Sequence, residues 1–300
     1  MKKILVLLST YNGEKYLEEQ LNSIFCQNGV DVYIYVRDDG SNDGTHSILE
    51  RYSQSKKIKW YTGANLKPAF SFIDLIFTAP DIFDYYAFCD QDDVWLPNKL
   101  LNAVEKLSEN NDEIPALYNC LIDTVDSELN KISEIYHKNF ENNTLYELLN
   151  LGVPGCSYVF NKALFNVARK NKPKVVCMHD AWIAYLNFAV GGIFISDERC
   201  GILYRQHNNN TVGASKRSLR QGFYDIFFDS NIKKSDTIRE IISQHANEIN
   251  EVRKKEMNLI ANYRKSLRNK LFLLFTRYYG NGYTKKSFLK IKLCILFNNF

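Results

Sequence analysis

Asp90, Asp92 and Asp93 fall within four consecutive residues, Asp90-Gln91-Asp92-Asp93, directly after the apolar run Tyr85-Tyr86-Ala87-Phe88-Cys89. With that run as a strand, several carboxylates gather at its buried edge and repel one another. A hard divalent cation relieves the repulsion. Mg²⁺ or Mn²⁺ typically takes one or two carboxylates and keeps its other positions for phosphate oxygens, so the pattern predicts a metal bridging the protein and a diphosphate. The plainer reading is an exposed acidic turn in which Asp93 caps the helix after Pro97. Two more polar runs, Ser9-Thr10-Tyr11-Asn12-Gly13-Glu14 and Arg37-Asp38-Asp39-Gly40-Ser41, also follow apolar segments. Each alone reads as turn chemistry, but three such ends in one sheet point to one site.

The elements that must position these groups are legible as a rhythm. Ile4 to Leu8, Tyr33 to Val36, Lys59 to Tyr61 and Tyr85 to Cys89 are rich in Ile, Val, Tyr and Phe and read as strands. Gly13 to Gln27, Asp43 to Ser53 and Pro68 to Thr78 carry helical periodicity. Alternation of this kind predicts an α/β fold, a mainly parallel Rossmann-like sheet flanked by helices, with ligands at the carboxyl ends of the strands. The chain has 300 residues, 45% hydrophobic and 14% aromatic, which excludes a disordered protein. Its length suits one large domain plus an extension.

The three polar runs, completed by Asn42-Asp43-Gly44-Thr45 and Val94-Trp95, resemble the family 2 glycosyltransferases of GT-A fold. The form DQDDVW and the later Tyr204-Arg205-Gln206-His207 are similar to bacterial rhamnosyltransferases that build cell-wall and capsular polysaccharides, and the resemblance spans about residues 1 to 215. It implies that Thr10, Tyr11, Asn12 and Glu14 line a nucleotide pocket, with Asp39 accepting a hydrogen bond from the base or ribose. The residues suit this: a carboxylate can accept from a pyrimidine N–H, and Tyr11 offers a stacking face. The resemblance further implies Asp92 as metal ligand, Asp90 at the ribose or a metal-bound water, His207 completing the metal site, and Arg205 neutralising the diphosphate. Close relatives often read Asn-Leu-Gly after the third strand; here Asn65-Leu66-Lys67-Pro68 puts Lys67 near the diphosphate or simply starts a helix at Pro68.

For the reaction, the resemblance implies an inverting single displacement with Mn²⁺ or Mg²⁺ and a carboxylate base. Met178-His179-Asp180-Ala181-Trp182 resembles the family's acidic motif ahead of an acceptor-site helix, which makes Asp180 the proton acceptor; capping the helix Ala181 to Ala189 is the plainer role. Trp182 and Trp95 are expected either to stack on sugar rings or to lie in the core. The turn Val153-Pro154-Gly155-Cys156-Ser157 borders the acceptor in the family; no base accompanies Cys156, which reads as packing rather than as a nucleophile. The donor implied first is dTDP-rhamnose, followed by UDP-linked galactose, glucose or N-acetylhexosamine.

From Met257 to Phe300 there are nine Lys or Arg and no Asp or Glu, leaving 29 basic against 34 acidic residues before Met257. An acidic body disfavours nucleic acid, and a basic tail suits an anionic membrane surface. The chain therefore divides into a glycosyltransferase-like domain over 1–220 and a helical, basic C-terminal extension over 221–300. Ile238, Ile242, Ile249, Val252 and Leu259 near a 3.6 repeat predict a helix packed on the domain or paired with another copy as a homodimer. Lysines interleaved with Phe288, Leu289, Ile291, Leu293, Ile295, Leu296 and Phe297 predict an interfacial helix, which would suit a polyprenyl-linked saccharide acceptor. Seven scattered cysteines without a C-x-x-C pair argue against a zinc site or a disulfide framework, and the five-residue apolar run at Ile4 is too short for a signal peptide or a membrane span. A cytoplasmic enzyme, peripheral on the inner face of the membrane, is the expectation. A nucleotidyltransferase would carry a Gly-rich, basic loop after strand one. A non-catalytic sugar-binding scaffold would share the site residues but would not hydrolyse a nucleotide sugar.

Overall fold

The computed structural model describes residues 1–54, 57–135, 153–207, 232–275 and 285–300. Strands β1 (Lys3–Thr10), β2 (Asp31–Asp38), β3 (Ile58–Thr62) and β4 (Tyr85–Cys89) alternate with helices α1 (Leu17–Phe25), α2 (Thr45–Ser53) and α3 (Lys67–Thr78). Then follow β5 (Val94–Trp95), α4 (Lys99–Ser108), β6 (Ala116–Val125), β7 (Lys131–Ile135), β8 (Tyr158–Asn161), α5 (Lys162–Ala168), α6 (His179–Ala189) and β9 (Ile193–Arg205). Four helices end the chain: α7 (Lys234–Gln244), α8 (Glu251–Ala261), α9 (Leu267–Phe275) and α10 (Lys285–Leu296).

The described strands form one sheet in the order β3-β2-β1-β4-β8-β6-β9-β5, with β7 beside β6. β3, β2, β1 and β4 are parallel, as the alternation predicts. The other half is mixed: β8 runs antiparallel to both β4 and β6, β6 and β9 are parallel, and the short β5 is antiparallel to β9. Register places the polar ends side by side. Thr10 is level with Asp38, and Leu8 is level with Cys89, so Asp38-Asp39, Thr10-Tyr11 and Asp90-Gln91 leave one edge together. Because Val94 pairs with Leu203, the chain leaving β9 at Arg205 returns to the Asp92 loop.

Both faces of the sheet are covered. Ile4, Val6 and Leu8 of β1 point to a cluster with Leu21, Ile24, Leu100 and Ala103; Leu5 and Leu7 point to one with Phe72, Ile76, Trp182 and Leu186. That is why β1 reads as continuous apolar sequence rather than as alternation. The second cluster also contains Ile238, Ile241, Met257, Ile260, Tyr263, Leu273 and Ile295, so the C-terminal helices share the core of the sheet. The expected boundary near residue 220 lies outside the described residues. The extension's apolar repeat is not one helix: it breaks between Gln244 and Glu251, which shifts the phase and leaves Val252 exposed. Among the described residues, no helix is long and apolar enough to cross a membrane.

Candidate active site

The loop after β1 is built by cross-links to its neighbours. Thr10 Oγ1 donates to Gln91 Oε1 at 2.6 Å, the Tyr11 N–H donates to the same oxygen at 2.9 Å, and Gln91 Nε2 donates to the Tyr11 carbonyl at 3.2 Å. Gln91, between the acids, is thus the staple joining the β1 and β4 ends. Sequence reasoning gave it no role, since its meaning depends on which strands are adjacent. A Cβ on Gly13 would come within 2.5 Å of Gln91 Oε1 and 2.7 Å of Thr10 Oγ1, so a larger residue there would push the staple's side chains aside. Asn12, at φ 49°, accepts from the Asn42 N–H at 3.0 Å, and its own N–H donates to Ser41 Oγ at 2.8 Å. Glu14 Oε2 accepts from the Gly44 N–H at 3.0 Å. Tyr11 stays 46% exposed at the rim.

At the end of β2, the buried Asp38 carboxylate accepts from the Gly40 and Ser41 N–H groups, Ser41 Oγ and Thr62 Oγ1, and it lies 2.7 Å from His46 Nε2. These bonds outweigh its burial and hold it below the usual carboxylate range. Asp39, expected to meet a base or ribose, is only 3% exposed; it pairs with Arg37 and accepts from the Leu66 N–H at 3.1 Å. Arg37 is the physical reason, for a buried guanidinium needs a buried carboxylate, and Asp39 is turned inward beneath the end of β2. Lys67 is exposed at the rim with φ 63°, a left-handed conformation that costs any side-chain-bearing residue.

The acidic corner is compact. Asp92 Oδ2 lies 2.8 Å from His207 Nε2, and the His207 ring stacks on Tyr16 with centroids 5.0 Å apart. Asp90, Asp93 and Cys156 each present a ligand atom, all within 4.8 Å of one another. Burial, reinforced by Asp92 and Asp180, pushes the Asp90 carboxyl up to about 7; burial, reinforced by Asp92 and Asp90, pushes Asp93 well above its ordinary range. Without a cation, the corner therefore takes up protons, which is the behaviour of a site that a divalent ion fits. Asp93 does not cap a helix, since Asn98 stands before α4. It is buried, and its Oδ1 accepts from the Arg205 N–H at 3.1 Å.

Arg205 was expected to face the diphosphate, yet it is 2% exposed. Its guanidinium donates to the Asp92 carbonyl at 2.9 Å, to the Ser127 carbonyl and to the Glu19 carboxylate, and lies over the Tyr16 ring. It holds the acidic loop from behind. The two tryptophans are core: Trp182 is buried in the α6 cluster, and the Trp95 ring is covered by the buried Lys99, whose Nζ stands 3.5 Å from its centroid. Neither indole presents a face to a sugar. Cys156 is likewise buried against the acids, and burial raises its thiol well above the ordinary value.

Asp180 occupies the first turn of α6, half-buried, with Oδ1 accepting from the Ala181 N–H at 2.6 Å. Burial pushes its carboxyl up to about 6, opposed by the N–H groups of Ala181 and Gly155 and by the Lys234 ammonium. A Cβ on Gly155 would come within 3.2 Å of the Asp180 Cβ and 2.6 Å of His179 Nε2, so the glycine lets the turn before β8 close against α6. Asp180 thereby faces the same corner as Asp90, whose carboxyl it helps to raise. The arrangement can bind a cation and an anion at one strand edge and place a carboxylate that accepts a proton beside them.

Comparison with known proteins agrees with this fold. The model of "Glycosyl transferase family 2" matches residues 5–166. The dTDP-rhamnosyl transferase RfbG of Shigella flexneri is 32% identical over 227 residues, 69% of this chain and 74% of that protein. A GalNAc(5)-diNAcBac-PP-undecaprenol beta-1,3-glucosyltransferase of Campylobacter jejuni is 29% identical over 149 residues, 47% of this chain and 48% of that one. In fold, the chain is similar to S. aureus TarS 1-349 in complex with UDP-GlcNAc, with a TM-score of 0.60 and 18% identity over 92% of this chain and 76% of that chain. It is also similar to the mannosyltransferase PcManGT from Pyrobaculum calidifontis with GDP-Man and Mn²⁺, with a TM-score of 0.56 and 13% identity over 99% and 87%. A GT-A sheet, a family model covering more than half the chain and a relative matched over most of its length lead to one statement: the chain belongs to glycosyltransferase family 2.

Proposed function

We propose that the protein is an inverting, metal-dependent glycosyltransferase that moves rhamnose from dTDP-rhamnose to a growing polyprenyl-linked cell-surface polysaccharide. The observation that carries the reading is the placement of Asp180 across from the acidic corner, a half-buried carboxylate beside the group of acids suited to a nucleotide's cation. Asp92, next in sequence to Asp93 of the Asp90–Asp93–Cys156 group, and His207 would hold Mn²⁺ or Mg²⁺, which when bound neutralises charge on the departing diphosphate. Tyr11 offers its exposed ring to the base, Lys67 offers an ammonium at the rim, and Thr10, Asn12 and Glu14 hold the loop in shape. The Asp180 carboxylate accepts the proton of the attacking hydroxyl as the new glycosidic bond forms, and no protein nucleophile is required.

The Shigella relative's name supports the rhamnosyl donor, and the Campylobacter relative's name supports a polyprenyl-diphosphate acceptor. A UDP-hexose or UDP-N-acetylhexosamine transferase is the second reading, which the fold's likeness to a UDP-GlcNAc complex favours. The setting we infer is the cytoplasmic face of the membrane, where α9, α10 and the residue after it present exposed Leu267, Leu271, Phe272, Phe275, Leu289 and Phe297 among cations. A second copy of the same basic surface would repel it, whereas anionic lipid would not.

The test is a panel of nucleotide sugars with Mn²⁺, read by thermal shift and by release of nucleoside diphosphate. A donor at about 100 times its dissociation constant adds about 2.7 kcal/mol of stability. We expect dTDP-rhamnose to give the largest shift and a slow, EDTA-sensitive hydrolysis. A UDP-sugar in that place selects the second reading, and binding without hydrolysis leaves a scaffold.

A further inference from the structure

Tyr16 stands at the N-cap of α1, where Ser, Thr, Asp or Asn is favoured, and its side chain makes no capping hydrogen bond. The helix gains nothing from a tyrosine there. Its Oη is buried and has no hydrogen-bond partner among the described residues, so the hydroxyl is not what places it either. What remains is the ring. The His207 imidazole stacks on it with centroids 5.0 Å apart and planes 28° from parallel, and the Arg205 guanidinium and the Lys15 ammonium lie over it at 4.5 Å and 4.7 Å.

The backbone fixes the ring from its own side. The Tyr16 N–H donates to the Gly13 carbonyl at 3.0 Å and the Tyr16 carbonyl accepts from the Gln20 N–H at 3.1 Å, which ties the residue to the β1 loop and to the first turn of α1. Three residues on, the Glu19 carboxylate takes the Arg205 guanidinium, whose Nε donates to the Asp92 carbonyl at 2.9 Å. The start of α1 thus grips the end of β9 and, through it, the loop that carries Asp92. Pairing of β9 with β6 reaches Arg205, and the Gln206 N–H still donates to the Val125 carbonyl at 2.8 Å. His207 comes next, with Nε2 2.8 Å from Asp92 Oδ2. An imidazole binds a cation only in the orientation its surroundings impose, and an aromatic face laid against the ring imposes one.

We propose that Tyr16 is a positioning residue for His207: its ring holds the imidazole toward Asp92, so that α1 sets the affinity of the Asp92–His207 pair for a divalent cation. This rests on the reading of Asp92 and His207 as the cation's ligands. The role needs a ring and not its hydroxyl, which separates it from hydrogen bonding. It passes through His207, which separates it from general packing.

The experiment uses the full chain and Mn²⁺ alone, titrated by loss of the free ion's electron paramagnetic resonance signal. Tyr16→Leu is expected to weaken Mn²⁺ binding at least about tenfold, the usual size of losing a group that orients a metal ligand, and Tyr16→Phe to stay within about twofold of the wild type. Combined with His207→Ala, Tyr16→Leu is expected to add no further loss. Wild-type affinity in the Leu variant, a Phe variant as weak as Leu, or a further loss in the double variant would each overturn the proposal. Should Tyr16→Leu lack a cooperative melt, Tyr16→Met gives the same reading. Asp92→Asn and His207→Ala are measured beside them. If either binds Mn²⁺ as tightly as the wild type, or the wild type binds none, the ligand assignment itself has failed; if both weaken binding while Tyr16→Leu does not, only the present inference has.

Discussion

A carboxyl held near pH 6 is a base that is ionised at neutral pH yet still basic enough to take a proton, and Asp180 meets that requirement by burial rather than by a catalytic partner. Two consequences follow with definite signs. Hydrolysis by the wild type falls as pH drops through about 6, because the protonated carboxyl accepts nothing. The fold also binds this proton more tightly than the unfolded chain does, so the group's contribution to stability declines as pH rises from about 4 to about 6 and stays low above that. Asp180→Asn removes a half-buried charge at neutral pH. We expect it to abolish turnover, keep nucleotide binding, and raise stability at pH 7.5 by ~1–2 kcal/mol after solvent screening, an advantage that shrinks through pH 6 and vanishes near pH 4. Thermal melts of both proteins in EDTA across that range check it, and a gain in stability that grows toward acid would contradict the assignment.

At the scale of elements, the parallel half of the sheet and its polar ends were readable because each loop follows its strand directly in the chain. The mixed half was not. Whether Trp95 turns inward depends on β5 pairing with β9, more than a hundred residues on, and Arg205 is buried by Glu19 and Ser127, at sequence separations of 186 and 78. Types and local spacing show that a group can do chemistry; which way it faces is set by long-range packing. Lys67 illustrates the converse, for its departure from Asn-Leu-Gly was visible in sequence and the structure shows its cost. At φ 63° a side chain costs ~1–2 kcal/mol, while glycine returns ~0.5–1 kcal/mol to the unfolded chain. Lys67→Gly should therefore raise stability by ~0.5 kcal/mol, and Lys67→Ala, which keeps the strain, should not. If the ammonium serves the diphosphate, both variants raise the donor KM severalfold. Equal melting temperatures for Gly and Ala would remove the strain argument, and unchanged KM would remove the ligand one.

The described residues form one sheet whose second face is closed in part by the C-terminal helices, and this determines how attachment to a surface can be tested. Tyr263, Leu273, Ile295 and Phe300 belong to the shared core, so removing the tail would expose the catalytic unit's interior and confound any binding measurement. The opposite face of the same helices is separable. Leu267 and Phe275 are 72% and 78% exposed, with Arg268 and Lys290 also at the surface, and nothing in the core depends on them. An apolar ridge among cations gains from sinking into an anionic leaflet, each Lys or Arg near the surface adding ~1 kcal/mol. The wild type should float with vesicles containing anionic lipid and lose that association at high salt. Leu267→Glu/Phe275→Glu should remain at the bottom of the gradient with an unchanged melting temperature and unchanged hydrolysis of a soluble nucleotide sugar. Equal flotation of the two proteins would assign the ridge to some other contact, whereas loss of flotation with the catalytic site intact would support the proposed setting, in which a protein without a spanning helix among its described residues docks on anionic lipid through this ridge.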